Sequence, residues 1–200
     1  MKYIITENQY KLLTEEEKVL RIPLAAFNYN WDDLQIFLKH RGNPLYEITD
    51  DLNLYKSEIK SLGNLTSVGG DLYLDNTKIK SLGNLTSVGG DLNLYKSEIK
   101  SLGNLTSVGG NLNLSDTKIE SLGNLTSVGG GLYLRGSEIE SLGNLTSVGG
   151  RLDLFNTRIE SLGNLTSVGG NLGLRRTPLL KKYSEEEIRS MVEVGGEVYL

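Results

Sequence analysis

A repeat solenoid carrying a parallel β-sheet is the fold class this chain predicts, and three observations predict it. The decapeptide SLGNLTSVGG occurs six times unchanged, beginning at Ser61, Ser81, Ser101, Ser121, Ser141 and Ser161. The copies start 20 residues apart throughout, and a fixed period of this size means stacked units that each cover a neighbour's apolar face. Between the copies leucines alternate with polar residues, as at Leu72 and Leu74, so a short strand directs both leucines to one side. Residues 51–70 and 91–110 are identical at all 20 positions, the mark of tandem duplication.

Solenoid ends expose apolar surface and need covering, so residues 1–43 are expected to form a helical N-terminal cap. Thr6 with Gln9 and Thr14 with Glu17 offer competing capping boxes for a first helix. Asn30 is placed to cap a second, whose Trp31, Leu34, Phe37 and Leu38 make an apolar stripe ending at Gly42 with Pro44 behind it. The single tryptophan is expected to plug the first repeat.

Residues 44–177 form the array, with seven 20-residue repeats. In the unit Asp71 to Gly90, Ile79, Leu82, Leu85 and Val88 continue the apolar set that Leu72 and Leu74 begin. A lone coil cannot bury these side chains, whereas stacking can, at roughly 1.5–3 kcal/mol for each large side chain fully covered. The paired glycines, Gly69-Gly70 and their copies, stand before each strand, where the chain is expected to turn tightly, with positive φ, and to let the next coil approach closely. Each repeat should donate one strand to the sheet. Eight rungs about 4.8 Å apart then give a stack roughly 35–40 Å long.

The unit, L-x-L-x-x-T-x-I-x-x-L-x-x-L-x-x-V, resembles the leucine-rich repeat, L-x-L-x-x-N-x-L, with Thr77 where that family has asparagine. The match recurs in seven strands from Leu52 to Leu174, and in degenerate form at Val198 to Leu200. The GNLTSVGG wording is similar to short repeats of phage-encoded and bacterial leucine-rich proteins. At the asparagine position stand Ser57, Thr77, Ser97, Thr117, Ser137, Thr157 and Thr177. A buried hydroxyl must find a partner, and bonds to the adjacent coil's backbone are expected.

Residues 178–200 are expected to form a C-terminal cap helix and closing strand. Pro178 breaks the pattern, Ser184 and Glu187 make a capping box, and Ile188, Met191 and Val192 should cover the last coils. Glu197 to Leu200 reads as an eighth strand, and the chain reads as complete.

Against this uniform background the outward strand positions vary. They run Asp51, Asn53, Tyr55; Asp71, Tyr73, Asp75; Asp91, Asn93, Tyr95; Asn111, Asn113, Ser115; Gly131, Tyr133, Arg135; Arg151, Asp153, Phe155; and Asn171, Gly173, Arg175. The leucine-rich resemblance implies that these positions line the face where partners dock. Tyrosine, phenylalanine and arginine among small polar residues is a hot-spot mix. Aspartates lie toward one end and arginines toward the other, a gradient that would orient a dipolar partner. Free drift of exposed positions is the rival explanation, although polar Asn64, Thr66 and Ser67 never vary. A second stripe alternates in sign through Glu58, Lys78, Glu98, Lys118, Glu138 and Arg158, so neighbouring rungs can pair. Beside it Lys60, Lys80 and Lys100 give way to Glu120, Glu140 and Glu160.

Chemistry is sparse. The net charge of -4 and the absence of basic runs argue against nucleic acid as a partner. Cysteine is absent, which removes disulfides, thiolate metal sites and thiol catalysis. His40 is the sole histidine and has no nucleophile or orienting acid placed with it. No phosphate loop, dinucleotide fingerprint or metal spacing occurs. Asp71 and Asp75 form a carboxylate pair, but a flat sheet excludes no water from it. The N-L-T triplets from Asn64 onward read as turn chemistry rather than glycosylation sites, and the first residues lack a signal-peptide pattern. No stretch is long and apolar enough to span a membrane.

The expected protein is a cytoplasmic, non-enzymatic monomer without cofactor. It would recognise a protein partner through Asp51, Asn53, Tyr55, Asp71, Tyr73, Asp75, Asp91, Asn93, Tyr95, Asn113, Tyr133, Arg135, Arg151, Asp153, Phe155 and Arg175. The phage resemblance implies a host factor as that partner. A structural spacer or virion component is one alternative, and a carbohydrate- or ice-binding surface is another.

Overall fold

The computed structural model describes residues 19–200. The capping boxes at Thr6 and Thr14 lie outside the described residues.

The array is a β-solenoid in which every strand pairing is parallel, and each strand residue pairs with its equivalent one coil on, as Leu72 does with Leu92. The sequence predicted one sheet; the chain builds two. An eight-stranded sheet, here the leucine sheet, runs from Leu52–Asn53 through Leu172–Gly173 to Val198–Tyr199. A nine-stranded serine–valine sheet runs from Val19–Ile22 through Leu45–Ile48, Leu65–Val68 and five two-residue Ser-Val strands to Glu193–Val194. The second sheet has a simple origin. Leu85, Val88 and their copies are buried, and an extended segment between inward Val88 and outward Ser87 stacks on its own copies as readily as the L-x-L segment does.

Leu72, Leu74, Ile79, Leu82, Leu85 and Val88, with their counterparts, share one continuous dry core with at most 1% exposure in that coil. Backbone bonds carry the stack up both sheets, such as Leu72 N–H to Asp91 O at 2.8 Å and Gly89 N–H to Val68 O at 2.8 Å. Thr86 donates its hydroxyl to Thr66 O at 2.9 Å, and four later threonines repeat the bond. Ser81 Oγ accepts the Gly83 N–H at 3.1 Å, closing the next turn. Invariance of the decapeptide thus has a structural reason at Ser61, Thr66 and their copies.

Glycine does two different jobs. Gly89 has ordinary φ, but a Cβ there would collide with the Gly69 carbonyl, so the pair before each strand, where the chain bends as expected, answers to close approach and not to positive φ. Positive φ falls on the other glycine of the decapeptide, Gly63 at 61° and its copies. It falls also on the residue after each outward strand triplet: Lys56, Asn76, Lys96, Asp116, Gly136, Asn156 and Arg176. There the chain makes a four-residue turn closed by bonds such as Ser97 N–H to Leu94 O at 3.0 Å. That turn corrects the expectation for the hydroxyls. It folds Thr77 back onto its own coil, where Oγ1 donates to Leu74 O at 2.6 Å, and Ser97, Thr117, Ser137, Thr157 and Thr177 do the same. Ser57 Oγ is buried without a partner among the described residues.

Identical decapeptides do not have identical surroundings. On the flank between the sheets, coils 71–90 and 91–110 are laced by Glu98 N–H to Thr77 O and Lys100 N–H to Lys80 O, at 3.1 and 2.9 Å. Coils 111–130 and 131–150 repeat this through Glu138 and Glu140. The intervening junction lacks these bonds. A Cβ on Gly103 or Gly143 would meet the preceding glycine carbonyl at 2.6 or 2.7 Å, whereas Gly123 and Gly163 face open space. The coils are paired in twos, with the same 40-residue period as the serine–threonine and glutamate–lysine alternation. Across the looser junctions lie the ion pairs Lys78–Glu58 and Arg158–Glu138, at 2.6 and 3.3 Å. Glu160 and Glu140 from the acidic block pair with Lys182 and Arg158, at 2.7 and 3.7 Å.

Two helices flank the array. Helix α1, Trp31–His40, is capped by Asn30, whose Oδ1 accepts the N–H groups of Asp32 and Asp33. Leu34 and Leu38 are buried in the shared core with Tyr46, while Trp31 is only half-buried at its margin, so aliphatic residues do the filling expected of the tryptophan. Burial pushes the Tyr46 hydroxyl up to about 12; it donates to Leu62 O at 2.8 Å. Helix α2, Glu185–Met191, carries the complete Ser184–Glu187 capping box and buries Ile188. Met191 points to solvent, and Val192 just past the helix is buried instead. No helix among the described residues is long and apolar enough to cross a membrane.

Candidate functional site

The outward side of the leucine sheet carries the variable residues, because its inward positions are taken by the leucines. Its backbone is uniform, so any chemical distinction along it comes from side chains. The first outward position forms a ladder. Asp51 Oδ1 accepts the Asp71 N–H at 2.8 Å, Asp71 accepts from Asp91 at 2.7 Å, Asp91 from Asn111 at 2.6 Å, and Asn111 from Gly131 at 2.7 Å. Gly131 has no side chain to continue it and Arg151 has no acceptor. Asn171 resumes it, accepting the Glu197 N–H at 2.9 Å. These acidic and amide groups therefore bind coil to coil.

The third position splits by residue type. Asn53, Asn93, Asn113 and Asp153 each accept the N–H two residues on, at 3.0–3.1 Å, which sets the turn that follows. Tyr73 instead donates its hydroxyl to Asp71 Oδ2 at 2.8 Å, and that bond raises its pKa above the ordinary tyrosine value. Tyr133, facing Gly131, lies over the bare glycine. Gly173 leaves a hole.

The fifth position carries rings at Tyr55, Tyr95 and Phe155. Tyr55 and Tyr95 carry the ammonium groups of Lys56 and Lys96 over their rings, at 4.7 and 5.0 Å. Asp75 and Ser115 are half-buried. Toward the C-terminal end the pattern becomes guanidinium on ring. Arg135 and Arg176 both lie over Phe155, at 4.5 and 5.3 Å, and Arg151 and Arg175 both lie over Tyr199, at 5.9 and 5.7 Å. The Tyr199 hydroxyl is held above its ordinary pKa chiefly by hydrogen bonding with Glu197.

Above Gly173 these groups enclose a recess of about 360 Å³, walled by Phe155 and Tyr199 and rimmed by Arg135, Arg151 and Arg175. Its one carboxylate, Asp153, is only 9% exposed and already engaged, with Oδ2 accepting from Arg151 at 3.1 Å and Oδ1 from the Phe155 N–H. Arg135 and Arg176 form no ion pair among the described residues, and Arg175 Nε donates to Leu200 O, an oxygen of the last residue, at 3.1 Å.

The sixteen expected site residues thus share one face but do not form one site. Asp51, Asp71, Asp91, Asn53, Asn93, Asn113 and Asp153 are engaged in the stack or its turns. Tyr55, Tyr73, Tyr95, Asp75 and Tyr133 line its N-terminal and central stretch. Arg135, Arg151, Phe155 and Arg175 converge. Sequence reasoning counted Arg176 among the arginines at this end without naming it a binding residue, and missed Tyr199 and the opening at Gly173. Arg176 had a signal in its adjacency to Arg175, whereas Tyr199 is brought in only by the closing strand's pairing beside Leu172–Gly173.

Among the described residues no group of three or more histidine, aspartate or glutamate side chains could hold a metal ion. Comparison with protein-family models, curated proteins and solved structures finds no match.

Proposed function

We propose that the chain is a non-enzymatic leucine-rich repeat protein that recognises another protein through the outward side of its leucine sheet, with α1 and α2 as end caps. The observation that carries this reading is the convergence of Arg135, Arg175, Arg176, Phe155 and Tyr199 at one stretch of that face. Stability does not require guanidiniums without a carboxylate partner, and large planar side chains held by ring contacts are suited to binding. Inward leucines and turn-closing hydroxyls support the leucine-rich assignment, and a host factor is the partner suggested by the phage-like wording. The regular Thr66 column is a weaker binding surface, since its hydroxyl protons are donated along the stack.

The test is capture from a cell lysate with mass spectrometry, comparing the wild type with Arg135→Glu/Arg175→Glu and with a control altered on the opposite sheet, Ser107→Lys/Ser127→Lys. Loss of capture in the arginine variant alone is the expected result. Equal capture by all three proteins rejects the face as the binding surface.

A further inference from the structure

Resting on that reading, we propose that the Gly173 recess binds a short acidic segment of a protein partner, with its carboxylates meeting the edges of Arg135, Arg151 and Arg175. Four guanidiniums lie over two rings, and guanidinium N–H groups receive planar anions in paired bonds; one nitrogen of Arg151 is taken by Asp153 and Nε of Arg175 by Leu200 O, which leaves the others to do so. Electrostatic balance points the same way. Among the described residues Asp153 is the only carboxylate lining the recess and belongs to Arg151, while Glu197 stands at the Tyr199 hydroxyl, so the guanidiniums outnumber the acids around them. Like charges held this close repel until an anion enters.

The extent of the anion is also set. Two rungs separate Arg135 from Arg175, about 10 Å, and extended peptide advances about 3.3 Å per residue, so two to four residues span the cluster. A long polyanion is disfavoured, because the same face carries the Asp51, Asp71 and Asp91 column a few coils away, and nucleic acid needs a continuous positive track. The segment is therefore acidic where it meets the arginines and neutral or basic where it continues toward the aspartates.

Specificity comes from the missing side chain. Asparagine stands at the equivalent position in other coils, at Asn93 and Asn113, whereas Gly173 has ordinary φ and opens the floor. A Cβ there would sit 3.3 Å from Asp153 Oδ1 and 3.7 Å from Arg151, so any larger residue intrudes on the recess.

The experiment measures binding of fluorescein-labelled tetraglutamate peptide to the purified chain by anisotropy, at low and high salt, with tetraglutamine peptide and inorganic phosphate at matched ionic strength as comparators. Saturable, salt-sensitive tetraglutamate binding is expected, with none for tetraglutamine. Arg135→Ala/Arg175→Ala should weaken it roughly tenfold or more, the scale of one lost charge-assisted bond. Gly173→Asn, which removes no charge, should weaken it similarly and serves alone if the double variant does not fold. No tetraglutamate binding, binding indifferent to these substitutions, or phosphate binding as tight as the peptide overturns the assignment. If the peptide fails while Arg135→Glu/Arg175→Glu still abolishes lysate capture, the acidic-segment inference falls and the face reading stands. If lysate capture ignores the face altogether, the broader reading falls.

Discussion

The N-terminal and C-terminal halves of the variable face have the same backbone and opposite chemistry. In the first, Asp51, Asp71, Asp91 and Asn111 each accept an N–H from the next coil, and Tyr73 is tied to Asp71, so polar groups are consumed in holding the stack. In the second, Gly131 and Arg151 interrupt that ladder, Gly173 opens a recess, and guanidiniums gather on rings in excess of the carboxylates beside them. Outward direction alone does not make a side chain available. What remains after the internal hydrogen bonds are assigned is the part of the face that can do something else.

The largest expected effect lies where the halves meet. Leu112 is fully buried, and Leu112→Asp places a carboxylate between coils at a cost on the order of 4–5 kcal/mol. Circular dichroism should show either no folded protein or two separate melting transitions, one for each half. A single melt at the wild-type temperature breaks the view that one continuous core joins them.

Two copies of one glycine sharpen the comparison further, since they share sequence and φ. Gly103→Ala should cost on the order of 3 kcal/mol, from left-handed strain plus collision with the Gly83 carbonyl; Gly123→Ala should cost only the strain, about 1 kcal/mol. Equal midpoints in urea would deny the paired arrangement of coils. Next, Asp91→Ala removes a ladder acceptor and should lose about 1–2 kcal/mol, while Arg175→Ala should stay within about 0.5 kcal/mol of wild type. The reverse order would exchange the roles assigned to the halves.

The ladder can also be extended. Gly131→Asn supplies the missing acceptor for the Arg151 N–H and displaces only the far end of the Tyr133 side chain, so a gain of about 0.5–1 kcal/mol in denaturant is expected. The smallest effect is a titration. Tyr73 has a folded-state pKa above its unfolded value, so the stability from its bond to Asp71 is complete below the ordinary tyrosine range and disappears as pH rises through the folded pKa. Tyr46 and Tyr199 also ionise late, so ultraviolet titration should find one fewer late-ionising tyrosine in Asp71→Ala than in the wild type.

Much of this architecture was legible in the residues. Leu72, Leu74, Ile79, Leu82, Leu85 and Val88 announced the core because stacking is local: each coil sees only its neighbours, and the neighbours repeat. The serine–valine sheet was missed because two residues are too few to show alternation. The left-handed turn was written in the column Lys56, Asn76, Lys96, Asp116, Gly136, Asn156, Arg176, rich in residues that tolerate positive φ, and lay unread beside the more conspicuous glycine pairs.

Period and hydrophobic pattern, then, determined by themselves that the chain coils, where its leucines go and which side chains face out, because these follow from nearest-neighbour burial. Tertiary structure decided which outward groups are engaged. Whether Asp91 is a ladder rung or an exposed charge, and whether Arg175 meets Tyr199, depends on distances between residues 20 or more positions apart. Such distances arise only when coils stack in register and the closing strand takes its place.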